Sequence, residues 1–159
     1  MNQFSFENKH LKLKVSKSPI FVRIILFLIT FLCFALPLFG IVLNVIEGNG
    51  VKFRGVLALG VFSLIGFYML RISLWNNFGE EIIHFNDNQI EYVADYRWFK
   101  DGKKTLDKDS ITYSIKSVGY EDDNNGILVI SNGKSEIESV VKMQNIELEN
   151  LIKLLQNVG

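Results

Sequence analysis

Residues 10–17 read HLKLKVSK. Leu11, Leu13 and Val15 alternate with Lys12, Lys14 and Ser16, the period of two that marks a half-buried strand. Immediately after, beyond Pro19, the chain turns into a long apolar run suited to a bilayer. A lone strand can neither satisfy its backbone groups nor bury its apolar face. The fold therefore turns on where this strand finds its partner.

Composition narrows the choices. The chain has 159 residues, 48% of them hydrophobic, with 13 Phe and only Pro19 and Pro37 as prolines. Its mean hydropathy of +0.21 is high for a water-soluble domain of this size. Length allows one modest domain plus an anchor. Cys33 is the single cysteine, so no intrachain disulfide and no cysteine metal cluster can form. It lies inside the apolar run, where it reads as a small buried hydrophobe.

The formal net charge is zero, yet it is unevenly spread. Residues 1–23 hold Lys9, Lys12, Lys14, Lys17 and Arg23 against Glu7 alone. From Glu80 onward nine Lys or Arg face fifteen Asp or Glu, a net of −6. A basic arm of this kind suits an anionic cytoplasmic leaflet. An acidic domain lacks the basic face that a nucleic-acid reader needs, so no nucleic-acid partner is expected.

From Ile20 to Ile46 the only charge is Arg23, and Asn44 is the only other strongly polar side chain. About 20 apolar residues cross a bilayer, so this run spans it with tilt to spare. Pro37, in its second half, is expected to kink it. A cleaved secretory signal would have an apolar core of about 7–15 residues and a small-residue cleavage site, and neither fits. Gly48, Asn49 and Gly50 then supply a turn. A second run follows, uncharged over 55–70 and extended past Arg71 by Ile72, Leu74 and Trp75. Arg71 can snorkel, and Trp75 suits an aromatic belt. Gly60, Ser63 and Gly66 fall near one face, where the first helix can approach closely. Five basic residues in the arm against two, Lys52 and Arg54, in the loop place the N-terminus inside. Two crossings return the chain, so the expected location is the cytoplasmic (inner) membrane, two-pass, with both termini cytoplasmic. The expected divisions are a basic strand or arm over 1–18, a transmembrane helix over 19–47, a short external loop over 48–54, a second transmembrane helix over 55–76 and a β domain over 77–159.

After NNFGEE the apolar runs become short and alternating. EIIHF reads as a strand, and NDN as a turn. QIEYVADYRWF alternates with Ile90, Tyr92, Ala94, Tyr96 and Trp98 on one face. Asp101 and Gly102 form the DG pair of a hairpin turn. KKTLD, ITYSIKSVGYE, ILVISN and SEIESVVKM read as further strands, joined by turns at EDDNNG and NGK. Consecutive hairpins favour an antiparallel meander. The period then changes. Leu148, Leu151, Ile152, Leu155 and Val158 recur at helical spacing, with Asn145 as N-cap and Glu147 and Glu149 in the first turn. So short a helix must pack on the sheet to be stable. Six strands leave an edge to be covered, and HLKLKV is the spare strand.

Seven strands closed by one C-terminal helix resemble the pleckstrin-homology-like barrel. The whole layout, with DSITYSIKSVGYEDDNNGILVIS as its best local match, is similar to small bacterial two-span membrane proteins of the YcxB-like, bacterial PH-like kind. The resemblance implies an α+β membrane protein: a two-helix transmembrane hairpin plus a cytoplasmic antiparallel PH-like domain, closed by a C-terminal helix and joined by the N-terminal strand.

Little in the sequence carries chemistry. His10 and His84, the only histidines, can be neighbours in a sheet, but two imidazoles alone make no metal site. EDDNNG invites a calcium reading with Glu121, Asp123 and Asn125 at loop positions one, three and five. Asn132 then falls where a bidentate glutamate is required, and the flanks are strands. Glu91, Asp95 and Asp107 can pair across strands, without a marked pocket. No nucleophile elbow, phosphate loop or HExxH occurs. No catalytic, metal or cofactor residues are expected, and the chain reads as a non-enzyme. The most suggestive patch is Arg97, Trp98, Lys100, Lys103 and Lys104, where basic and aromatic side chains can touch lipid headgroups.

The expected function is a membrane-anchored, non-enzymatic interaction module presenting its domain to a membrane or cytoplasmic protein partner. Two alternatives stand beside it: a sensor of lipid or membrane state, and a small accessory or immunity subunit of a membrane complex. The bilayer itself is a partner in all three.

Overall fold

The computed structural model describes residues 3–119 and 124–158, so the EDD half of the EDDNNG turn lies outside the described residues. The chain divides into two compact units: residues 17–77, and residues 1–16 together with 78–159.

The first unit is a helical hairpin of α1 (Ile20–Ile46) and α2 (Phe53–Phe78), the latter ending one residue beyond the unit. Both are long and apolar enough to cross a membrane. Large apolar side chains lie on their outer surface, Phe21 and Leu64 among them. Such exposure suits lipid and is costly in water. α1 continues through Pro37. Gly48 and Gly50 both take positive φ in the connecting loop, which glycine does without strain.

The polar groups of the hairpin find partners inside it, as a low-dielectric surround requires. Thr30 and Ser73 hydroxyls meet at 3.2 Å; one of them donates to the other, and the second donates to a carbonyl one turn back, Leu26 O for Thr30 or Met69 O for Ser73. Ser18 Oγ donates to Asn76 Oδ1, and Arg23 Nε donates to Asn77 Oδ1 at 2.5 Å. Of the expected small-residue contacts, only one is made by glycine spacing. A Cβ on Gly66 would come within 2.7 Å of the Phe34 ring, whereas one on Gly60 would meet open space.

The second unit is built from antiparallel sheets. One has the order β1 (Phe4–Glu7), β2 (His10–Lys14), β3 (Glu80–Phe85), β4 (Gln89–Asp95), β5 (Lys100–Asp107). The other comprises β6 (Thr112–Ser117), β7 (Asn125–Ser131) and β8 (Glu136–Glu138), with β9 (Met143–Gln144) also on β7. α3 (Asn145–Val158) follows and buries Leu148, Leu151 and Leu155.

The HLKLK strand is therefore paired, antiparallel to β3, with Leu11 opposite Ile83 and Leu13 opposite Glu81. Val15 N–H donates to Gly79 O and extends the pairing by one bond. Leu11 and Leu13 are 0% exposed, while Val15 is only partly buried. Full burial of a leucine is worth about 1.5–3 kcal/mol, an upper figure because unfolded chains already shelter some apolar surface.

Four departures from the sequence reading have physical causes. FSFE forms an additional edge strand, β1, joined to β2 through Asn8 and Lys9, both at positive φ as a two-residue I′ loop demands. Phe6 packs edge-on against Phe85 at 5.9 Å. The DG pair does not make the β4–β5 turn: residues 96–99 do, with Tyr96 N–H donating to Phe99 O. Gly102 instead sits inside β5 at φ +67, where the register slips by one residue opposite Val93. That is a bulge with glycine in its left-handed position. Trp98 consequently lies in the turn and not on the core face. Finally, SEIESVVKM is not one strand. It breaks after Glu138 and re-forms at Met143.

The N-terminal pairing is directly testable. Leu13→Ala is expected to cost the β domain about 2–5 kcal/mol, and Leu13→Asp more, although Leu13 lies far from the domain in sequence. Urea unfolding of the full chain in mild detergent, with amide exchange over residues 10–15, measures this. Exchange as fast as a free tail, or an unchanged midpoint in Leu13→Asp, would contradict the pairing.

Candidate functional site

Two clusters of titratable groups form in the β domain, on opposite faces of β3. Strand alternation separates them: Glu81, Ile83 and Phe85 share one buried face, and Glu80 and His84 lie half-buried on the other, with buried Ile82 between them.

On the inner face Glu81 is 0% exposed. Its Oε1 accepts a bond from the Tyr92 hydroxyl at 2.8 Å and from the Val140 N–H at 2.5 Å, while Oε2 is buried without a hydrogen-bond partner. Burial drives its carboxyl above the ordinary carboxylate range, partly offset by those two donors. Burial and the neighbouring Glu81 likewise push the Tyr92 phenol well up. Lys104 lies over the Tyr92 ring at 5.9 Å. Val140 belongs to the break between β8 and β9, so Glu81 ties the first sheet to the irregular segment of the second. Ser139 holds the same break. Its N–H donates to Leu128 O, its Oγ accepts from Leu128 N–H, and the hydroxyl donates to Val141 O.

On the outer face the sheet register sets Glu7, His10, His84, Glu91 and Thr105 in one row across five strands. The His10 and His84 rings meet edge to face, Nδ1 to Nδ1 at 2.6 Å. One ring must donate and the other accept. Partial burial and the adjacent His10 both lower the His84 pKa. Among the described residues no group of three or more His, Cys, Asp or Glu is placed to hold a metal ion. Glu91 and Asp95 face Lys103 and Lys100 at 3.4 and 3.5 Å and do not pair with each other, and Asp107 stands opposite Gln89.

The five residues of the basic–aromatic patch divide three ways. Arg97 and Trp98 are at the β4–β5 tip. Lys100 and Lys103 lie on the outer face, engaged with Asp95 and Glu91. Lys104 is over Tyr92. Phe99 belongs with the tip, its ring stacked on Tyr96 at 4.6 Å. Arg97 has φ +73, with its N–H donating to Asp95 Oδ1, and its guanidinium lies 4.8 Å from the centre of the Phe78 ring. The loop Glu121 and Asp123 of the calcium reading lie outside the described residues.

Among the described residues, β6 of the second sheet pairs only with β7. Val118 N–H donates to Asn125 O. Alternation of an antiparallel ladder then turns the backbone groups of Ser117, Ile115 and Tyr113 away from β7 toward the open edge. α3 lies against β6 and β7. A Cβ on Gly126 would come within 2.6 Å of Ile115 and 2.7 Å of Asn145 Oδ1, so that corner is close-packed. The sequence signals neither this open edge nor the Glu81 site; only the inward phase of EEIIHF hinted that Glu81 belongs with the core.

Against family models, curated proteins and solved structures the chain has no match.

The raised Glu81 carboxyl has a definite consequence. Between the ordinary carboxylate pKa and the raised one, the folded state keeps a proton the unfolded chain has released. Stability from this group therefore falls as pH rises through that window. Glu81→Gln keeps an acceptor for Tyr92 and Val140 and cannot titrate. The unfolding free energy of the wild type relative to Glu81→Gln is expected to decline from acid toward neutral pH in urea titrations; a flat difference would show the carboxyl is not held up. Glu81→Leu, which orphans both donors, is expected to cost about 1–3 kcal/mol for each.

Proposed function

We propose that this is a membrane-anchored, non-enzymatic interaction module that presents a cytoplasmic PH-like domain to a protein partner. The observation that carries this reading is the open edge of β6 beside α3. An extended peptide can add a strand there, taking up the outward backbone groups of Tyr113, Ile115 and Ser117. Proteins usually guard such edges with charge, proline or bulges. β6 has no proline, and its one charge, Lys116, is already paired with Glu138 at 2.5 Å. Of the two outer strands of the other sheet, β1 is only four residues long, and β5 carries a bulge at Gly102 and four charged residues from Lys100 to Lys104.

Support for the PH-like identity comes from the order of elements. Four antiparallel strands from β2 to β5, then β6 to β8, then a terminal helix follow the arrangement expected for that barrel, with β1 and β9 as additions. Support for a non-enzymatic role comes from the separation of the two titratable clusters. His84 and the Glu81–Tyr92 pair are on opposite faces of β3 and cannot act on one substrate. The cytoplasmic placement rests on the Lys and Arg asymmetry of the sequence.

Two measurements test this reading. A reporter active only in the periplasm is expected to work when fused at Asn49 and to fail at Gly159; the reverse result would overturn the orientation. Ser117→Pro removes one outward donor from β6. It is expected to abolish photo-crosslinks from a probe at Ser114 to the partner in intact membranes without altering the unfolding midpoint. Crosslinks that survive would rule out strand addition at this edge.

A further inference from the structure

We propose that the β4–β5 tip, residues 97–99, is seated in the headgroup layer of the bilayer that α2 crosses. The proposal rests on the reading of α1 and α2 as spans, and is independent of the β6 edge. Phe78 is the first residue of the β domain, joined directly to Asn77 of the hairpin. It is also the last residue of α2, where the chain turns from helix to β domain. The Arg97 guanidinium lies over the Phe78 ring, so the tip is tied to that residue.

What the tip then presents is chemically specific. Trp98 is 69% exposed, and Phe99 and Phe78 are 40% and 38% exposed. In water, three exposed aromatic rings and an arginine grouped at one turn are costly. At a headgroup layer they are favoured: indole suits the boundary between hydrocarbon and water, and guanidinium pairs with lipid phosphate. The backbone supports this reading. Arg97 takes a left-handed φ that a non-glycine residue seldom adopts, and the Asp95 carboxylate holds it there. A glycine would relieve the strain, but it would remove the cation from the Phe78 ring. Strain kept at an exposed turn points to a use for the side chain that causes it. Lys100 and Lys103 contribute less, since Asp95 and Glu91 already engage them.

The chain has two tryptophans, Trp75 and Trp98, which makes the test direct. In Trp75→Phe, the emission of Trp98 reports its surroundings. The full chain is reconstituted in vesicles of phosphatidylethanolamine with phosphatidylglycerol, some of the lipids brominated close to the headgroup. Expected results are blue-shifted emission, strong quenching by the brominated lipid and protection from aqueous iodide. In Arg97→Glu, and in vesicles of phosphatidylcholine alone, the lipid quenching is expected to fall. Red-shifted emission that iodide quenches and bromolipid does not, in protein that floats with the vesicles, would overturn the proposal. Protection from iodide without bromolipid quenching would overturn it too, since a protein surface would then cover the tip. Protein that fails to float would refute the spans themselves, and with them this inference. Should Trp75→Phe misfold, a spin label at Trp98→Cys in a Cys33→Ser background gives the same depth by oxygen accessibility, with the same deciding outcomes.

Discussion

The ladder between β2 and β3 is the interaction on which the β domain depends. It joins residues on either side of the helical hairpin, His10 to His84 and Lys14 to Glu80. Without it β3 would be a sheet edge, Leu11 and Leu13 would have no core, and β1 would have no strand to pair with. The hairpin makes this long-range contact cheap. Closing a flexible loop of that length costs entropy, but two packed helices that run out and back return the chain near its start. The strand and the hairpin are thus mutually dependent parts of one sequence plan.

Much of that plan is legible in the residues. The period of two in LKLKV marks Leu11 and Leu13 as core, and both are fully buried. The uncharged runs mark both helices, and the change to helical spacing after Asn145 marks α3. What is not legible depends on partners distant in sequence. The FSFE segment is short, and its connection to β2 uses Asn8 and Lys9 where a glycine would have signalled a tight turn. The DG pair is a true signal of positive φ, yet the sheet spends it on a bulge at Gly102 and leaves the turn to Arg97. Periodicity reads residues 135–143 as one strand because Ser139 and Val140 are compatible with strand geometry. Their backbone groups instead answer to Leu128 and to Glu81. Of the basic patch, composition found the tip, but the face on which each lysine falls is set by the bulge.

Glu81 shows the same principle in its sharpest form. A carboxylate in the inward phase of a strand looks like an error of pattern. Here it supplies an acceptor for two donors, the Tyr92 hydroxyl and the Val140 N–H, which would otherwise be buried unpaired. An apolar residue would fill the space and strand both. The cost is a carboxyl out of water. It is met mainly by a raised affinity for a proton; the hydrogen bonds and the charge of Lys104 offset only part of the burial.

The same economy governs the hairpin, where Thr30, Ser73, Asn76 and Asn77 bond to one another, to Ser18 and Arg23, and back to their own helices. Most buried polar groups are thus consumed internally, with Glu81 Oε2 an exception. The groups left over include the outer edges of β1 and β5, and also the two places proposed above as contacts: the outward backbone of β6, and the aromatic turn at residues 97–99. One offers hydrogen bonds without side-chain bulk, which suits an extended peptide. The other offers aromatic area and a cation without backbone ladders, which suits a lipid interface. A domain steadied at the membrane by its tip would hold its β6 edge in a restricted orientation, and restricting orientation before binding lowers the entropy that a partner must lose.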